Sequence, residues 1–359
     1  MTRYRAAIVG LSWIGADPPL PAADPVLGSA VPGSHASAMA EIDRLDVVAG
    51  CDVTEAARTA FAERWDDRWP GLRTYGDYRE LLEAERPEIV SIVTPDHLHA
   101  EVFHAAIATG ARGIFCEKPL SIDLAEADEM VAAAARAGVA VNVNYTRRWL
   151  PESAEARRLL REGACGPLSH VVAQRGGPRA MLWRNHGHLI DLLCYLVEDE
   201  PEWVTAELEP GWAIEGDAYV GDGGDKADSE PGANVCIAFR NGVRAFLIGM
   251  KTGTSDIVID VVGATARIAI DPEGLRLVQV PREDWRVPPA DGDRGIRVRT
   301  LEPRFRVAGM EAALRELLHA VETGAATTSP AASARTTVAV IQAALASAAA
   351  GGARTEVPR

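Results

Sequence analysis

Short apolar runs separated by polar, helix-like segments recur through the first 144 residues of the chain. Residues 5–10 (RAAIVG), 46–52 (DVVAGCD), 88–94 (EIVSIVT), 113–117 (GIFCE) and 139–144 (VAVNVN) read as buried strands. Segments 34–45, 55–65, 78–85, 97–109 and 123–137 between them read as helices. Strands alternating with helices predict an α/β unit with a doubly wound parallel sheet, because each right-handed crossover between parallel strands needs a covering helix. The rhythm then changes. Helices are expected at 152–162 and 185–196, followed by ANVCIAF, VRAFLIGM, DIVIDVVG and ARIAI without intervening helices. These runs, with RNG at 240–242 as a hairpin turn, predict a second domain with a largely antiparallel sheet. Alanine-rich helices at 309–322 and 331–349 close the chain. The expected division is 1–146 and 147–359.

The first strand runs into Gly10-Leu11-Ser12-Trp13-Ile14-Gly15, a dinucleotide-binding turn with serine at the middle glycine position. Gly10 suits the tight turn and Gly15 close packing, while Ser12 is the mildest replacement where backbone must approach a pyrophosphate. Asp52 ends the second strand, where a carboxylate can hold the ribose hydroxyls about 20 residues beyond such a turn. It stands 37 residues after Gly15, and setting aside the proline-rich stretch 16–33 as an insertion leaves 19. The negative charge of Asp52 favours NAD over NADP, a preference that Arg58 would soften.

Charge and composition narrow the partners. A formal charge of −14 argues against nucleic acid and anionic membranes, and no apolar run approaches the ~18 residues of a membrane span. Five scattered cysteines, with no C-x-x-C pair, and the absence of a signal peptide predict a reduced, cytoplasmic protein without a structural metal. The acidic, glycine-rich stretch 216–232 fits no EF-hand spacing and reads as a solvated loop.

Two further segments stand at carboxyl ends of predicted strands, where open α/β sheets bind ligands: Thr94-Pro95-Asp96-His97-Leu98-His99 and Cys116-Glu117-Lys118-Pro119-Leu120. With them, the glycine turn, Asp52, NVNYTRRW at 142–149 and HLIDLL at 188–193, the chain resembles the glucose–fructose oxidoreductase, inositol dehydrogenase and rhizopine-catabolism (Gfo/Idh/MocA) family over essentially its whole length. The resemblance implies an N-terminal Rossmann domain and a C-terminal α+β domain with an open-faced, mostly antiparallel sheet. It implies a nicotinamide cofactor, NAD in preference to NADP, held by Gly10, Ser12, Trp13, Ile14, Gly15, Asp52, Thr94, Pro95, His97, Glu117 and Lys118. By the same resemblance Lys118 hydrogen-bonds the reacting oxygen, His188 acts as acid/base with Asp191 one turn on, and the chain assembles as a homodimer or homotetramer.

This chemistry is coherent: a histidine takes the hydroxyl proton as hydride leaves carbon, and an ammonium stabilises the developing alkoxide. The substrate would be a sugar, cyclitol or related polyol, contacted by Lys118, Tyr145, Arg147, Trp149, Arg184, Asn185 and His188. Trp149 and Trp183 are candidates for stacking on a sugar ring, with core packing as the alternative. In one respect the chain departs from the family: several sugar-oxidising relatives carry an aspartate four residues before the histidine, and here Arg184 stands there. A cation at that place would depress the histidine's pKa. Together with Arg147, Arg148, Arg175 and Arg179, Arg184 would also suit a substrate bearing a carboxylate, phosphate or nucleotide diphosphate; solvated arginines are the competing reading. Two other functions remain open: a redox-neutral lyase, glycosidase or epimerase using NAD transiently, and a non-catalytic NAD-binding sensor.

Overall fold

The computed structural model describes residues 2–17, 33–209, 230–279, 295–304 and 308–359. The central part of the proline-rich stretch and most of the acidic stretch 216–232 lie outside these residues. By internal packing, described residues 2–149 and 308–338 form one compact unit, and 150–209, 230–304 and 339–359 the other. The expected break near residue 146 thus stands at Trp149, and the segment 308–338 returns to the first unit.

The first unit is a six-stranded parallel sheet of β1 (Tyr4–Val9), β2 (Leu45–Cys51), β3 (Arg73–Tyr75), β4 (Ile89–Ile92), β5 (Gly113–Cys116) and β6 (Ala140–Val143), in the order β3-β2-β1-β4-β5-β6. That is the dinucleotide-binding order, with the reversal between β1 and β4. The strands β4 and β5 are buried at every position, which is why they read as unbroken apolar runs. β3 shows no such run, having two exposed residues of three. The helices are α1 (His35–Ala40), α2 (Glu55–Trp65), α3 (Tyr78–Glu85), α4 (His99–Ala108) and α5 (Leu124–Ala137). α1 is shorter than the 34–45 expected: Glu41 ends it, and Ile42 N–H bonds back to Met39 O at 3.1 Å.

A later helix, α8 (Gly309–Thr323), supplies Met310, Ala313, Leu314, Leu317 and Leu318 to the core shared with β1 and β2. Asn142 of β6 fixes it, donating from Nδ2 to Ala313 O at 2.9 Å while its Oδ1 accepts from Ser329 N at 3.2 Å. Helical periodicity made α8 legible, but nothing local assigned it to the first unit.

The second unit is a nine-stranded mixed sheet. Its strands are β7 (Leu168–Gln174), β8 (Pro201–Leu208), β9 (Ala233–Phe239), β10 (Arg244–Ile248), β11 (Val258–Gly263), β12 (Ala266–Asp271), β13 (Gly274–Gln279), β14 (Arg297–Leu301) and β15 (Thr355–Glu356). Their order is β14-β13-β12-β11-β7-β10-β9-β8-β15. Among these strands only β7 and β10 pair in parallel. The β9–β10 hairpin turns at Arg240-Asn241-Gly242, with Gly242 at φ +89°. α6 (Pro151–Arg161) packs on β12 and β13, and α7 (Asn185–Val197) on β7 and β10. α9 (Ala331–Ala349) follows α8.

Leu317 is fully buried beneath the first sheet. Leu317→Ala is expected to cost about 3 kcal/mol of unfolding free energy, measured by urea denaturation. A loss below about 1 kcal/mol would show that α8 contributes little to the first unit.

Candidate functional site

The carboxyl ends of β1, β2, β4 and β5 gather the candidate cofactor residues on one edge of the first sheet. Gly10 has φ +100°, and a Cβ there would lie 2.3 Å from Val93 O, so both conformation and close approach demand glycine. A Cβ on Gly15 would meet Gly10 O at 2.2 Å; its packing partner is the turn's own backbone. Between them Trp13–Gly15 form a single 3₁₀ turn preceded by Ser12, whose hydroxyl makes no capping bond. Trp13 holds φ +44° with its indole 60 % exposed, a strained conformation for a bulky residue.

Asp52 is bonded to this turn. Its Oδ2 accepts from Leu11 N at 3.0 Å, and its Oδ1 accepts from Thr54 N at 2.8 Å. Arg58 Nη1 donates to the carbonyls of Asp52 and Val53 at 2.7 and 3.1 Å. The contact between Asp52 and the turn supports the register inferred by setting the insertion aside. The insertion also closes at its base, where Ser34 Oγ donates to Asp17 O at 2.5 Å. Trp65 Nε1 and Arg64 Nη1 hold Ala16 O at 3.0 and 3.2 Å from α2. α1 starts afresh beyond it, closed by its own capping box between Ser34 and Ser37.

Lys118 follows β5 and is buried. The Glu117 carboxylate accepts from Lys118 N at 3.2 Å, from His35 Nε2 at 2.9 Å and from Asn144 Nδ2. Burial pushes the Glu117 carboxyl up, but the hydrogen bond and charge of His35, the Lys118 ammonium and the Asn144 amide outweigh it and hold the pKa at about 2. Its bonding partners are therefore the protein's own groups. The ring of His99 lies between Pro119 O and Thr94 O, at 2.8 and 3.0 Å, joining the ends of β4 and β5. In the TPDHLHA segment the exposed histidine is His97 and the buried one His99. Pro95 is exposed, Thr94 and Ile14 are half-buried, and Thr94 Oγ1 has no hydrogen-bond partner.

In the second unit α7 carries Asn185, His188 and Asp191, all buried. Asn185 Nδ2 donates to Arg179 O at 2.7 Å. Leu189, Leu192, Leu193 and Leu196 are core residues, as the helical spacing predicts. Arg184 caps this helix and has a carboxylate beside it: Nε is 3.6 Å from Glu230 Oε1, and Trp183 N donates to Glu230 Oε2. The Arg184 charge thus acts beside a fully buried carboxylate rather than alone.

Of the two readings of Trp149, the structure shows the packing one: it is buried in the core beside α8 with its Nε1 donating to Glu316 Oε2 at 2.7 Å. Trp183 is likewise buried. Tyr145 and Arg147 are buried, and Arg148 Nη1 donates to Thr328 O at 2.6 Å. Sequence reading gave no role to His35, Ser91, His99, Asn144 and Glu230, although His99 and Asn144 stand in the segments it quoted. The only signals were a histidine just past the proline-rich stretch and asparagines at alternate positions 142 and 144.

The geometry defines a class, a dinucleotide-binding Rossmann unit joined to a mixed-sheet unit, and comparison with known proteins makes it particular. Residues 26–145 match the Gfo/Idh/MocA family model described as "Oxidoreductase family, NAD-binding Rossmann fold". The match begins beyond the glycine turn. D-apiose dehydrogenase of Paraburkholderia graminis is 35% identical over 198 residues, covering 51% of this chain and 52% of that protein. Trans-1,2-dihydrobenzene-1,2-diol dehydrogenase of Danio rerio is 33% identical over 175 residues, covering 43% and 50%. The chain thus spans about half the length of these curated relatives. A levoglucosan dehydrogenase solved with NADH and L-sorbose superposes with a TM-score of 0.77 at 20% identity over 100% of both chains, a likeness of fold. Among the described residues no helix is long and apolar enough to cross a membrane.

Two measurements check this geometry. Gly110 also has positive φ, +97°, but open space around it. Gly110→Ala is expected to cost about 1 kcal/mol and Gly10→Ala at least about 3 kcal/mol, the difference being the clash with Val93. Equal losses in urea denaturation would refute the close approach. The lowered Glu117 pKa stabilises the fold above the ordinary carboxylate range, near 4.5, and that stability is lost as pH falls toward 2. Between pH 7 and pH 3 the native chain should lose about 2 kcal/mol through this group, and Glu117→Gln should lose correspondingly less.

Proposed function

We propose that the chain is an NAD-dependent oxidoreductase moving a hydride between nicotinamide and a secondary alcohol or ketone of a sugar, cyclitol or sugar derivative. The observation that carries this reading is the set of groups on one edge of a Rossmann sheet of this family: a glycine turn bonded to Asp52, and the buried Lys118 two strands away. The residues present suit a dinucleotide. Gly10 and Gly15 keep the turn free of side chains, the Asp52 carboxylate has acceptor capacity left for ribose hydroxyls, and Thr94 Oγ1 is a polar atom in want of a partner. Bound nicotinamide would supply the hydride acceptor or donor.

In this reading Lys118 holds the reacting oxygen and stabilises alkoxide character, while His188, supported by Asp191, takes or returns the proton. Glu230 beside Arg184 offsets the cation that would otherwise suit an anionic substrate, which supports a neutral polyol. The names of the relatives, dehydrogenases of apiose and of a dihydrodiol, support the same substrate class. Assembly as a homodimer or homotetramer in the cytoplasm belongs to this reading, and light scattering checks the assembly.

NADH should bind at least about 10-fold more tightly than NADPH, and Asp52→Ala should abolish the difference, as fluorescence titration would show. Neutral sugars and cyclitols screened with NAD should give absorbance at 340 nm, with uronates slower. Lys118→Met should lower kcat by roughly 10²-fold or more, a larger effect than on NADH binding. Consumption of substrate without NADH accumulating would instead establish a redox-neutral reaction. Cofactor binding with no turnover, and a biological activity indifferent to Lys118→Met, would establish a sensor.

A further inference from the structure

Behind Lys118 runs a chain of buried groups, Ser91, His35 and Glu117, that joins a motif residue to two residues given no role by the sequence. His35, from the start of α1, is fully buried; its Nδ1 lies 2.5 Å from Ser91 Oγ and its Nε2 2.9 Å from Glu117 Oε1. The ring also packs on Phe115, with centroids 4.6 Å apart. An ionised carboxylate only accepts, so His35 Nε2 carries a proton toward Glu117. Ser91, His35 and Glu117 therefore have the connectivity of a nucleophile–base–acid triad. Yet Ser91 is wholly buried within β4, out of reach of any substrate, so the arrangement serves the protein internally.

Its effect falls on the residue before Lys118. The Glu117 carboxylate is gripped by donors from α1, from Asn144 just after β6 and from the backbone N–H of Lys118 itself. A carboxylate held by donors from separate segments cannot rotate without leaving a buried polar group unpaired, at about 1–3 kcal/mol each. The peptide entering Lys118 is thereby tied to α1 and to the segment after β6. The residue it serves is itself unusual: of 37 basic residues only Lys118, Lys226 and Lys251 are lysines.

We propose that His35 and Glu117 form a positioning pair that fixes the backbone at Lys118 and so aims its ammonium. That this aim serves a reacting oxygen rests on the functional reading above; the aim itself does not. Displacement of a catalytic group by about 1 Å is enough to cost roughly 10²-fold in rate.

With three lysines, the full chain suits reductive ¹³C-methylation and NMR, with Lys118→Arg assigning the resonance of interest. In Glu117→Gln and in the milder Ser91→Ala, which withdraws only the hydroxyl behind His35, the Lys118 resonance should move or broaden, or its labelling rate change. The Lys226 and Lys251 resonances should stay in place. With a substrate in hand, Glu117→Gln should lower kcat by roughly 10–100-fold, and Glu117→Asp should recover part of it. A Lys118 signal and labelling rate unchanged in the folded Ser91→Ala and Glu117→Gln chains would overturn the positioning role. If Glu117→Gln does not fold, Ser91→Ala decides alone. A Lys118 signal that moves as expected, in a chain that turns over no sugar with either nicotinamide cofactor, would sink the functional reading and leave the positioning pair standing.

Discussion

One buried negative charge organises the carboxyl edge of the first sheet. An ionised carboxylate removed from water is costly unless hydrogen bonds and opposite charge replace its hydration. Glu117 meets that requirement through His35, Asn144 and Lys118 N, and these partners lie on α1, after β6 and in its own loop. Satisfying the charge therefore also fixes where those segments end. The same contacts explain why α1 can start independently beyond the proline-rich stretch and still be placed: His35 at its first turn is anchored from the far side, on Ser91 and Glu117.

Steric exclusion does comparable work at the neighbouring turn. Gly10 and Gly15 are glycines because backbone atoms of Val93 and Gly10 occupy the places their side chains would take. Asp52 then bonds the turn's Leu11 N–H, so the ends of β1 and β2 are joined. Strain remains at Trp13, whose left-handed conformation and exposed indole sit in the middle of this edge. The second unit places its own candidate groups by close approach too. A Cβ on Gly249 would lie 1.8 Å from Arg175 O and 2.8 Å from His186 Nε2, so this glycine lets β10 end against the segment that leads into α7.

Much of this was legible along the chain. The alternation of apolar runs and helical segments located five of the six parallel strands, because strands covered on both faces must be apolar throughout. β3 escaped because an edge strand of three residues buries too little to leave a pattern. In the second unit the continuous runs at β9 to β12 were visible, whereas β7, β8, β13 and β14 alternate or are exposed and left weaker marks. The positions of Gly10, Gly15, Asp52 and Lys118 at strand ends were readable because each stands a short, fixed distance from an apolar run. For Trp149 the chain left sugar stacking and core packing open, since an indole in a core and one in a cleft look alike in one dimension; the structure shows it packed in the core.

The sequence by itself determined the class of fold, the strand ends where the candidate residues stand and the residue types at the glycine turn, all of which follow from local periodicity and short spacing. Only the tertiary structure decided which groups meet across long separations. It brought α8 under the first sheet, Glu230 to Arg184, and His35 to Glu117 across 82 positions. The physical reason is that hydrogen bonding and charge compensation act through space between whichever groups the packed elements bring within about 3 Å. No local pattern records such a pairing, because neither partner needs the other until both are buried.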